Sequence, residues 1–153
     1  MDKETDDIKW MREAIHLAKK AEQEGEVPVG AILVQDGKIL GQGWNRSIVN
    51  HDCSAHAEIQ ALRNAGEILQ NYRFPGSTLY VSLEPCTMCA GAMIHARIKR
   101  LVFGAYDPKT GAIESVMRIF DQPFHNHKPE YDGGVLEDEC REMLQAFFKQ
   151  KRL

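Results

Sequence analysis

The first stretch of the chain repeats apolar positions with the period of an amphipathic helix. Between Asp6 and Glu24 the apolar side chains recur every three or four residues, at Ile8, Met11, Ile15, Ala18 and Ala21. This spacing places them on one face of a helix, where they can be buried against a core. Thr5 or Asp6 can cap the start of this helix, and Pro28 prevents it from continuing.

Two short apolar runs follow, and both predict strands. The run VGAILV occupies residues 29–34 and the run KILGQGW occupies residues 38–44, with Asp36 and Gly37 between them. An Asp-Gly pair supplies the positive φ angles that a type I′ turn requires. The sequence therefore predicts a β-hairpin in this region.

The middle of the chain alternates helical and strand patterns. Ser54 can cap a helix over AHAEIQALRNA at 55–65, which Gly66 would end in left-handed geometry. The run STLYVSL at 77–83 predicts a strand, and Pro85 can open a further helix that continues through CTMCAGAMIHA. A strand is thus expected to lead into a helix without a long loop.

The last third of the chain completes the predicted order of elements. A strand is predicted at 100–106, a surface loop with Gly and Pro at 107–115 and a short strand at 131–135. The closing helix is predicted at 136–151, with five inward-facing residues: Leu136, Cys140, Met143, Leu144 and Phe147. The order α-β-β-α-β-α-β-β-α predicts an α/β fold with three layers, α/β/α, around a five-stranded sheet.

Length and composition indicate an ordinary globular protein. The chain has 153 residues, of which 43% are hydrophobic and 27% are charged, and it contains no internal repeat or low-complexity linker. These values exclude the compositional class of disordered proteins. We therefore predict a single domain over residues 1–153.

The charge balance limits the kinds of partner that the chain can hold. The 19 Lys and Arg residues face 22 Asp and Glu residues, so the net charge is -3 and a polyanion must be held locally. Basic clusters exist at 95–100 and 149–152, although each taken alone is typical of solvated surface. No leader pattern or bilayer-spanning apolar run is present, so we expect a cytoplasmic protein. In a reducing compartment its four cysteines are expected to be thiols or metal ligands.

Two short motifs carry the candidate chemistry. H-A-E and P-C-T-M-C each stand at the predicted start of a helix. Cys86 and Cys89, three positions apart, share one face of a first helical turn. Because helical side chains lean toward the N-terminus, His56 and Glu58 can both reach a site that lies ahead of their helix. Two helix starts that face each other could therefore enclose one small site.

These residue types suit a catalytic zinc site. Positive helix ends favour thiolates, and one imidazole with two thiolates leaves the fourth tetrahedral position of zinc for water. Zinc lowers the pKa of such a water. Glu58 could take the proton of this water and deliver it to a departing nitrogen. The predicted chemistry is hydrolytic attack on an amidine-like carbon with loss of ammonia.

Other interpretations of these residues stay open from the sequence. A lone C-x-x-C also occurs in redox motifs and in structural zinc sites. Cys53 could act as a fourth ligand and close the site, but we expect it to point elsewhere, and Cys140 is most simply a small core residue. His125 and His127, two apart in a loop, are typical of solvated side chains, with contact to a phosphate as the alternative.

Seven segments spread over nearly the whole chain match a known family: EVPVGAILV, GWNR, AHAEIQALR, NYR, TLYVSLEPCTMCAGAMIHARI, VFGAYDPKTGA and the closing FF near basic residues. In these segments the chain resembles the bacterial tRNA-specific adenosine deaminases. H-x-E followed by P-C-x-x-C is the signature of zinc nucleobase deaminases. The resemblance implies a cytidine-deaminase-like fold with a mixed sheet, a homodimer and one zinc ion per subunit. It also implies conversion of adenosine to inosine at the wobble position of an arginine tRNA anticodon.

The resemblance also implies roles for individual residues. Zinc would be held by His56, Cys86 and Cys89, and Glu58 would move protons. The implied contacts to the target nucleoside are Asn45, Val29 and Ala57. The implied contacts near the RNA loop are Asp107, Lys109 and Phe148. Without the resemblance, Asn45 could simply end a strand and Phe148 could belong to the core.

Two competing functions use parts of the same pattern. A deaminase of free guanine, cytosine or a nucleotide would use the same zinc group with a smaller, more closed pocket. A module whose zinc only stabilises the fold would not need Glu58 beside an open coordination position. The segments VFGAYDPKTG and FFKQKRL favour a tRNA anticodon stem-loop as partner. We expect no membrane contact, and DNA is not expected as a natural substrate.

Overall fold

The computed structural model describes residues 2–151, so Met1, Arg152 and Leu153 lie outside the described residues, Arg152 being part of the second basic cluster. The elements follow the predicted order, with an additional short 3₁₀ helix at Ile119–Asp121. They are α1 (Lys3–Gln23), β1 (Gly30–Gln35), β2 (Lys38–Trp44), α2 (Ala57–Leu69), β3 (Thr78–Leu83), α3 (Thr87–His95), β4 (Arg100–Ala105), β5 (Glu130–Asp132) and α4 (Glu137–Lys151). Within residues 2–151 no helix has the length and apolarity that crossing a bilayer requires.

The five strands form one mixed sheet in the order β2-β1-β3-β4-β5. β1 pairs antiparallel with β2 and β3, whereas the β3–β4 and β4–β5 pairs are parallel. Helices α1 and α4 cover one face of this sheet, and α2 and α3 cover the other. The predicted three-layer α/β/α fold with a mixed five-stranded sheet is therefore confirmed.

The strand directions bring the candidate motifs to one edge of the sheet. β2, β3 and β4 all run the same way, so their carboxyl ends meet at that edge. The P-C-T-M-C motif follows β3 directly, the loop at 107–115 follows β4, and Asn45 follows β2. These three segments are distant in sequence but lie close together in space.

Two glycines in β2 allow α2 to pack unusually close to the sheet. A Cβ atom at Gly41 would lie 2.5 Å from the carbonyl oxygen of Ala61, and one at Gly43 would lie 2.5 Å from the Ala61 nitrogen. Any side chain at these positions would push α2 away from the sheet. The start of α2 carries His56 and Glu58, so the two glycines also set the depth of the candidate site.

The predicted hairpin and the predicted core faces are confirmed. Asp36 and Gly37 have φ angles of 51° and 75°, as a type I′ turn requires. In α1 the side chains of Met11, Ile15, Ala18 and Ala21 are buried and that of Ile8 is partly buried. In α4 the side chains of Cys140, Leu144 and Phe147 are buried and that of Met143 is partly buried, as is that of Leu136, which directly precedes the helix. Cys140 packs beside Gly104 of β4, where a larger residue would not fit.

The predicted helix caps were wrong at two places. α1 is capped by Asp2, whose Oδ1 accepts the Thr5 N–H at 2.8 Å, rather than by Thr5 or Asp6. α2 begins at Ala57 instead of following a Ser54 cap, because the Ser54 hydroxyl donates to Asp52 at 2.7 Å. These local bonds satisfy the polar groups that the sequence pattern had assigned to helix starts.

Two predicted ends of elements also shift. Gly66 does not end α2, which continues to Leu69 and closes with Gln70 in left-handed geometry (φ 53°, ψ 47°). The carbonyl of Gly66 accepts the Gln70 N–H, so the last turn remains hydrogen-bonded. The last strand is shorter and earlier than predicted, at Glu130–Asp132, because its pairing with β4 covers only three residues.

A buried ion pair network joins α1 to the amino-terminal end of β4. The Arg100 guanidinium donates to both Asp7 oxygens at 2.8 and 2.6 Å, and to Asp132 at 3.0 and 2.8 Å. The Tyr80 hydroxyl also donates to Asp7 at 2.9 Å. Although its partial burial acts in the opposite direction, the hydrogen bond from Arg100 lowers the pKa of Asp132. The network satisfies a buried carboxylate that would otherwise be unpaired.

We expect Arg100→Ala to lower the free energy of unfolding by about 3–5 kcal/mol, because Asp7 would be left charged and unpaired in the interior. Urea unfolding monitored by circular dichroism measures this change. The matched control is Arg141→Ala, which removes a solvent-exposed arginine paired with Glu137 and Asp138 and should leave the midpoint nearly unchanged. Equal midpoints for the two variants would contradict the central role of Arg100.

Candidate metal centre

Three predicted ligand atoms converge at the carboxyl edge of the sheet. The Nδ1 atom of His56 lies 3.7 Å from the Cys86 sulfur and 3.5 Å from the Cys89 sulfur. All three atoms lie within 4.8 Å of one another. A tetrahedral zinc ion with ordinary Zn–S and Zn–N bonds would hold sulfur and nitrogen about 3.5 Å apart. The donor set and its spacing therefore fit zinc.

Two of these residues occupy the N-cap positions of the two helices. His56 precedes α2 and Cys86 precedes α3, both with extended backbone, and the His56 side chain makes no capping hydrogen bond to α2. The Ala57 N–H at the start of α2 is instead accepted by Asn45 Oδ1 at 2.8 Å. Because Asn45, at the end of β2, accepts this N–H group, the imidazole of His56 remains available to a ligand ahead of α2.

The contact between the two thiols shifts their pKa values in opposite directions. The hydrogen bond from Cys89 lowers the pKa of Cys86 to about 4, against the opposing effect of burial, and the His56 ring lowers it further. The same hydrogen bond, together with burial, raises the pKa of Cys89. The contact with Cys86 also raises the pKa of His56. These contacts favour the thiolate form of Cys86, which is the form that a cation binds in place of the proton.

Glu58 lies beside these ligands in the first turn of α2. Its side chain is only 4% exposed, and it contacts the Cys89 thiol. Burial raises the pKa of its carboxyl group to about 7. A carboxyl group with this pKa can bind and release a proton near neutral pH, which is the property that general acid and base catalysis requires.

The three residues expected around a nucleoside lie next to one another. The Asn45 N–H donates to the Val29 carbonyl at 3.1 Å, and the Asn45 side chain caps α2 at Ala57. Val29 and Ala57 are buried, whereas Asn45 is half-buried. Because Oδ1 accepts the Ala57 N–H, the Asn45 amide nitrogen remains as a donor for a bound molecule.

The three residues expected near an RNA loop line one groove of about 900 Å³. The groove lies between the start of the 107–115 loop and α4, and Lys109 and Phe148 are exposed along it. Phe148 is 44% exposed and therefore does not belong to the core. The Asp107 carboxylate turns into its own loop, where it accepts the N–H groups of Lys109 and Thr110 at 3.0 and 3.1 Å. Among the residues that the structure describes, His56, Cys86 and Cys89 do not line this groove.

The remaining cysteines and histidines stay outside the metal group. Cys53 is exposed and is not among the converging ligand atoms, as expected, and all four cysteines are free thiols. His127 is not simply solvated, because its Nε2 atom lies 2.6 Å from the Ile98 carbonyl oxygen. The ring of His125 packs against that of Phe124, with the ring centroids 4.4 Å apart and the planes tilted by 52°.

Two buried carboxylates near the site were not predicted. Glu26 accepts the N–H groups of Ile48 and Val49 at 3.2 and 2.8 Å, and Glu84 accepts several N–H groups of the 107–115 loop. Each side chain is only 2% exposed. For Glu84 the sequence offered one signal, a charged residue directly between an apolar strand and Pro85. Glu26 offered none, since a charged residue next to a turn is typically solvated.

Comparison with known proteins agrees with this geometry. Residues 4–105 match the cytidine and deoxycytidylate deaminase zinc-binding region. The chain is 59% identical over 147 residues to a tRNA-specific adenosine deaminase of Haemophilus influenzae, covering 95% of this chain and 85% of that protein. It is 46% identical to the Bacillus subtilis enzyme of the same name over 148 residues, covering 97% and 92% of the two chains.

A solved structure gives the same result for the fold. It comes from a study of A-to-I editing by tRNA:A34 deaminases at the wobble position of transfer RNA. Its chain superimposes with a TM-score of 0.85 at 48% identity, covering 88% of this chain and 97% of that one. The chain therefore belongs to the tRNA-specific adenosine deaminases, within the zinc-binding cytidine and deoxycytidylate deaminase family.

Proposed function

We propose that this protein hydrolyses adenosine to inosine at the wobble position of a tRNA anticodon, with an arginine tRNA as the first substrate to test. The observation that carries the proposal is the convergence of His56, Cys86 and Cys89 beside the buried Glu58. The relatives named above support the choice of tRNA. We also propose that residues 1–153 act as one deaminase domain in the cytoplasm, without membrane contact, which cell fractionation can test.

The proposed reaction divides its work between a metal and a carboxylate. His56, Cys86 and Cys89 would hold one zinc ion per subunit, and zinc supplies the Lewis acidity that makes water nucleophilic near neutral pH. Glu58 accepts a proton as water attacks C6 of the adenine ring. It then delivers that proton to the amino nitrogen, which leaves as ammonia. The water oxygen remains as the carbonyl oxygen of inosine, and the second proton of the water ends on ring atom N1.

The target nucleoside would lie beyond the carboxyl end of β2, beside the start of α2. Single-stranded loop bases can be splayed out of a stack and read along their edges, which suits an anticodon loop. Asn45 would donate from its amide nitrogen, while Val29 and Ala57 would form the apolar wall. Their mutual hydrogen bonds fix this wall before the substrate arrives.

The neighbouring loop nucleotides would lie along the groove between the 107–115 loop and α4. The exposed ring of Phe148 offers a surface on which a base can stack, and Lys109 offers a cation for a phosphate. Asp107 would contribute through the shape of its turn, because its carboxylate is bound within the loop. A slightly acidic chain can thus hold RNA through local contacts.

We further propose that two copies form a homodimer through the surface of α2 and α3. This surface carries an apolar groove of about 490 Å³, lined by residues that include Ile59, Leu62 and Ala92. The lining of this groove is mostly apolar, as the core of a protein–protein interface is. Sedimentation equilibrium should give twice the chain mass for the wild type and for Val116→Arg, and a monomer for Leu62→Arg. A monomeric wild type would contradict the dimer.

Removal of one ligand should remove the metal. We expect the zinc content of Cys86→Ala to fall from about one ion per chain to a small fraction, since two remaining ligands cannot close a tetrahedral site. Its thermal midpoint should also fall, because metal binding is coupled to folding. Elemental analysis of the purified protein measures the zinc. The control Cys53→Ala should stay metal-replete, and a metal-replete, stable Cys86→Ala would contradict the ligand assignment.

The substrate is tested with a panel of candidate molecules. We expect the wild type to form inosine in an anticodon stem-loop RNA and to leave the matching DNA, free guanine, free cytosine and nucleotides unchanged. Nucleoside digestion followed by mass spectrometry detects the product. Turnover of free bases or nucleotides without turnover of RNA would reject the tRNA assignment and support the alternative substrate class.

Glu58→Ala is the control variant for this panel. It should keep its zinc and its fold but lose about 10²–10⁴-fold in deamination rate, because the proton transfer loses its carboxylate. Near-normal activity of this variant would show that another group moves the proton.

A further inference from the structure

The Glu84 carboxylate binds one irregular loop through five donors. Oε1 accepts the Asp107 N–H at 3.0 Å and the Ser115 hydroxyl. Oε2 accepts the N–H groups of Ile113, Glu114 and Ser115 at 3.1, 2.8 and 3.0 Å. A carboxylate that accepts several N–H groups is held more strongly than a neutral acceptor. Nearly all of its hydrogen-bonding capacity is therefore used by the 107–115 loop.

The loop in turn depends on this carboxylate. It has no regular secondary structure, so its inward-facing N–H groups need an acceptor other than a neighbouring strand or helix. Gly111 lies directly against the Glu84 carboxyl group, where a Cβ atom would collide with it. Loss of the carboxylate would leave several buried donors unpaired, and the loop would have to rearrange.

Glu84 also connects this loop to the turn that carries a zinc ligand. Its own N–H donates to the Ala105 carbonyl at 2.8 Å, at the end of β4. The next residue, Pro85, accepts the Ala112 N–H at 2.9 Å through its carbonyl, and Cys86 follows. Backbone hydrogen bonds of Glu84 and Pro85 therefore join the turn that carries Cys86 to the end of β4 and to the 107–115 loop.

We propose that Glu84 is a positioning residue for RNA binding, because it fixes the 107–115 loop against the Cys86 turn and so preforms the groove that Lys109 and Phe148 line. This inference rests on the proposed tRNA substrate. A preformed groove requires no ordering when the RNA binds, so its loss should weaken RNA binding more than the chemical step.

The test uses Glu84→Gln, which preserves the size of the side chain. In either orientation the amide NH₂ would face N–H donors that now meet an oxygen, so at least one of them loses its acceptor. We expect the KM for the anticodon stem-loop to rise about tenfold or more, with kcat changed by less than about threefold and zinc content unchanged. Hydrogen exchange of the amides at 113–115 should accelerate in the same variant.

Two further variants separate positioning from general stability. Asp132→Asn weakens the ion pair with Arg100 near the amino-terminal end of β4 and touches no part of the loop, so its KM should equal that of the wild type. Ser115→Ala removes one donor to Glu84 and should raise the KM in the same direction by a smaller factor. Ser115→Ala also tests the proposal should Glu84→Gln fail to fold.

Each outcome has a definite meaning. An unchanged KM in Glu84→Gln, or a fall in kcat and zinc content without a change in KM, would overturn the positioning role while leaving the tRNA assignment intact. An equal rise of KM in Asp132→Asn would attribute the effect to stability and would also overturn it. A wild type without activity on any RNA would reject the proposed function itself, and this inference with it.

Discussion

The architecture of the site depends on two helix starts that face each other at one edge of a sheet. Helix N-termini carry partial positive charge, so bringing two of them together is unfavourable unless negative charge lies between them. The Cys86 thiol, whose pKa is low, and the Glu58 carboxyl group supply acidic side chains between the two helix starts. Because the ligands His56 and Cys86 themselves occupy the N-cap positions, their side chains point ahead of the helices toward a common point.

The same strand topology separates the stabilising contacts from the reactive ones. Arg100 and its carboxylate partners lie at the amino-terminal end of β4, whereas the ligands lie beyond the carboxyl end of β3. A strand of six residues places these ends about 20 Å apart. Gly41 and Gly43 allow α2 to lie against the sheet at the depth that its first turn needs. The fold can therefore hold a buried ion pair network without placing it among groups that must exchange protons.

Much of this arrangement was predictable because its signals are local. The hairpin follows from Asp36-Gly37, the element order from apolar periodicity, and the zinc group from two short motifs at helix starts. The start of α2 and the role of Glu84 were missed for a different reason: their decisive contacts join residues distant in sequence. Asn45 caps α2 from the end of β2, so the favourable Ser54 is not used as the cap. Glu84 binds a loop more than twenty residues further along the chain, and no local pattern records such a contact.

The two buried carboxylates explain how irregular loops can form a defined site. Glu26 binds the loop that follows β2, and Glu84 binds the loop that follows β4, so each of these two loops is held by one buried acidic side chain. A strand or helix could satisfy the same N–H groups, but only in a regular geometry. A carboxylate accepts donors from several directions, and it therefore permits an irregular wall whose shape can follow a splayed nucleotide while remaining ordered before the nucleotide binds.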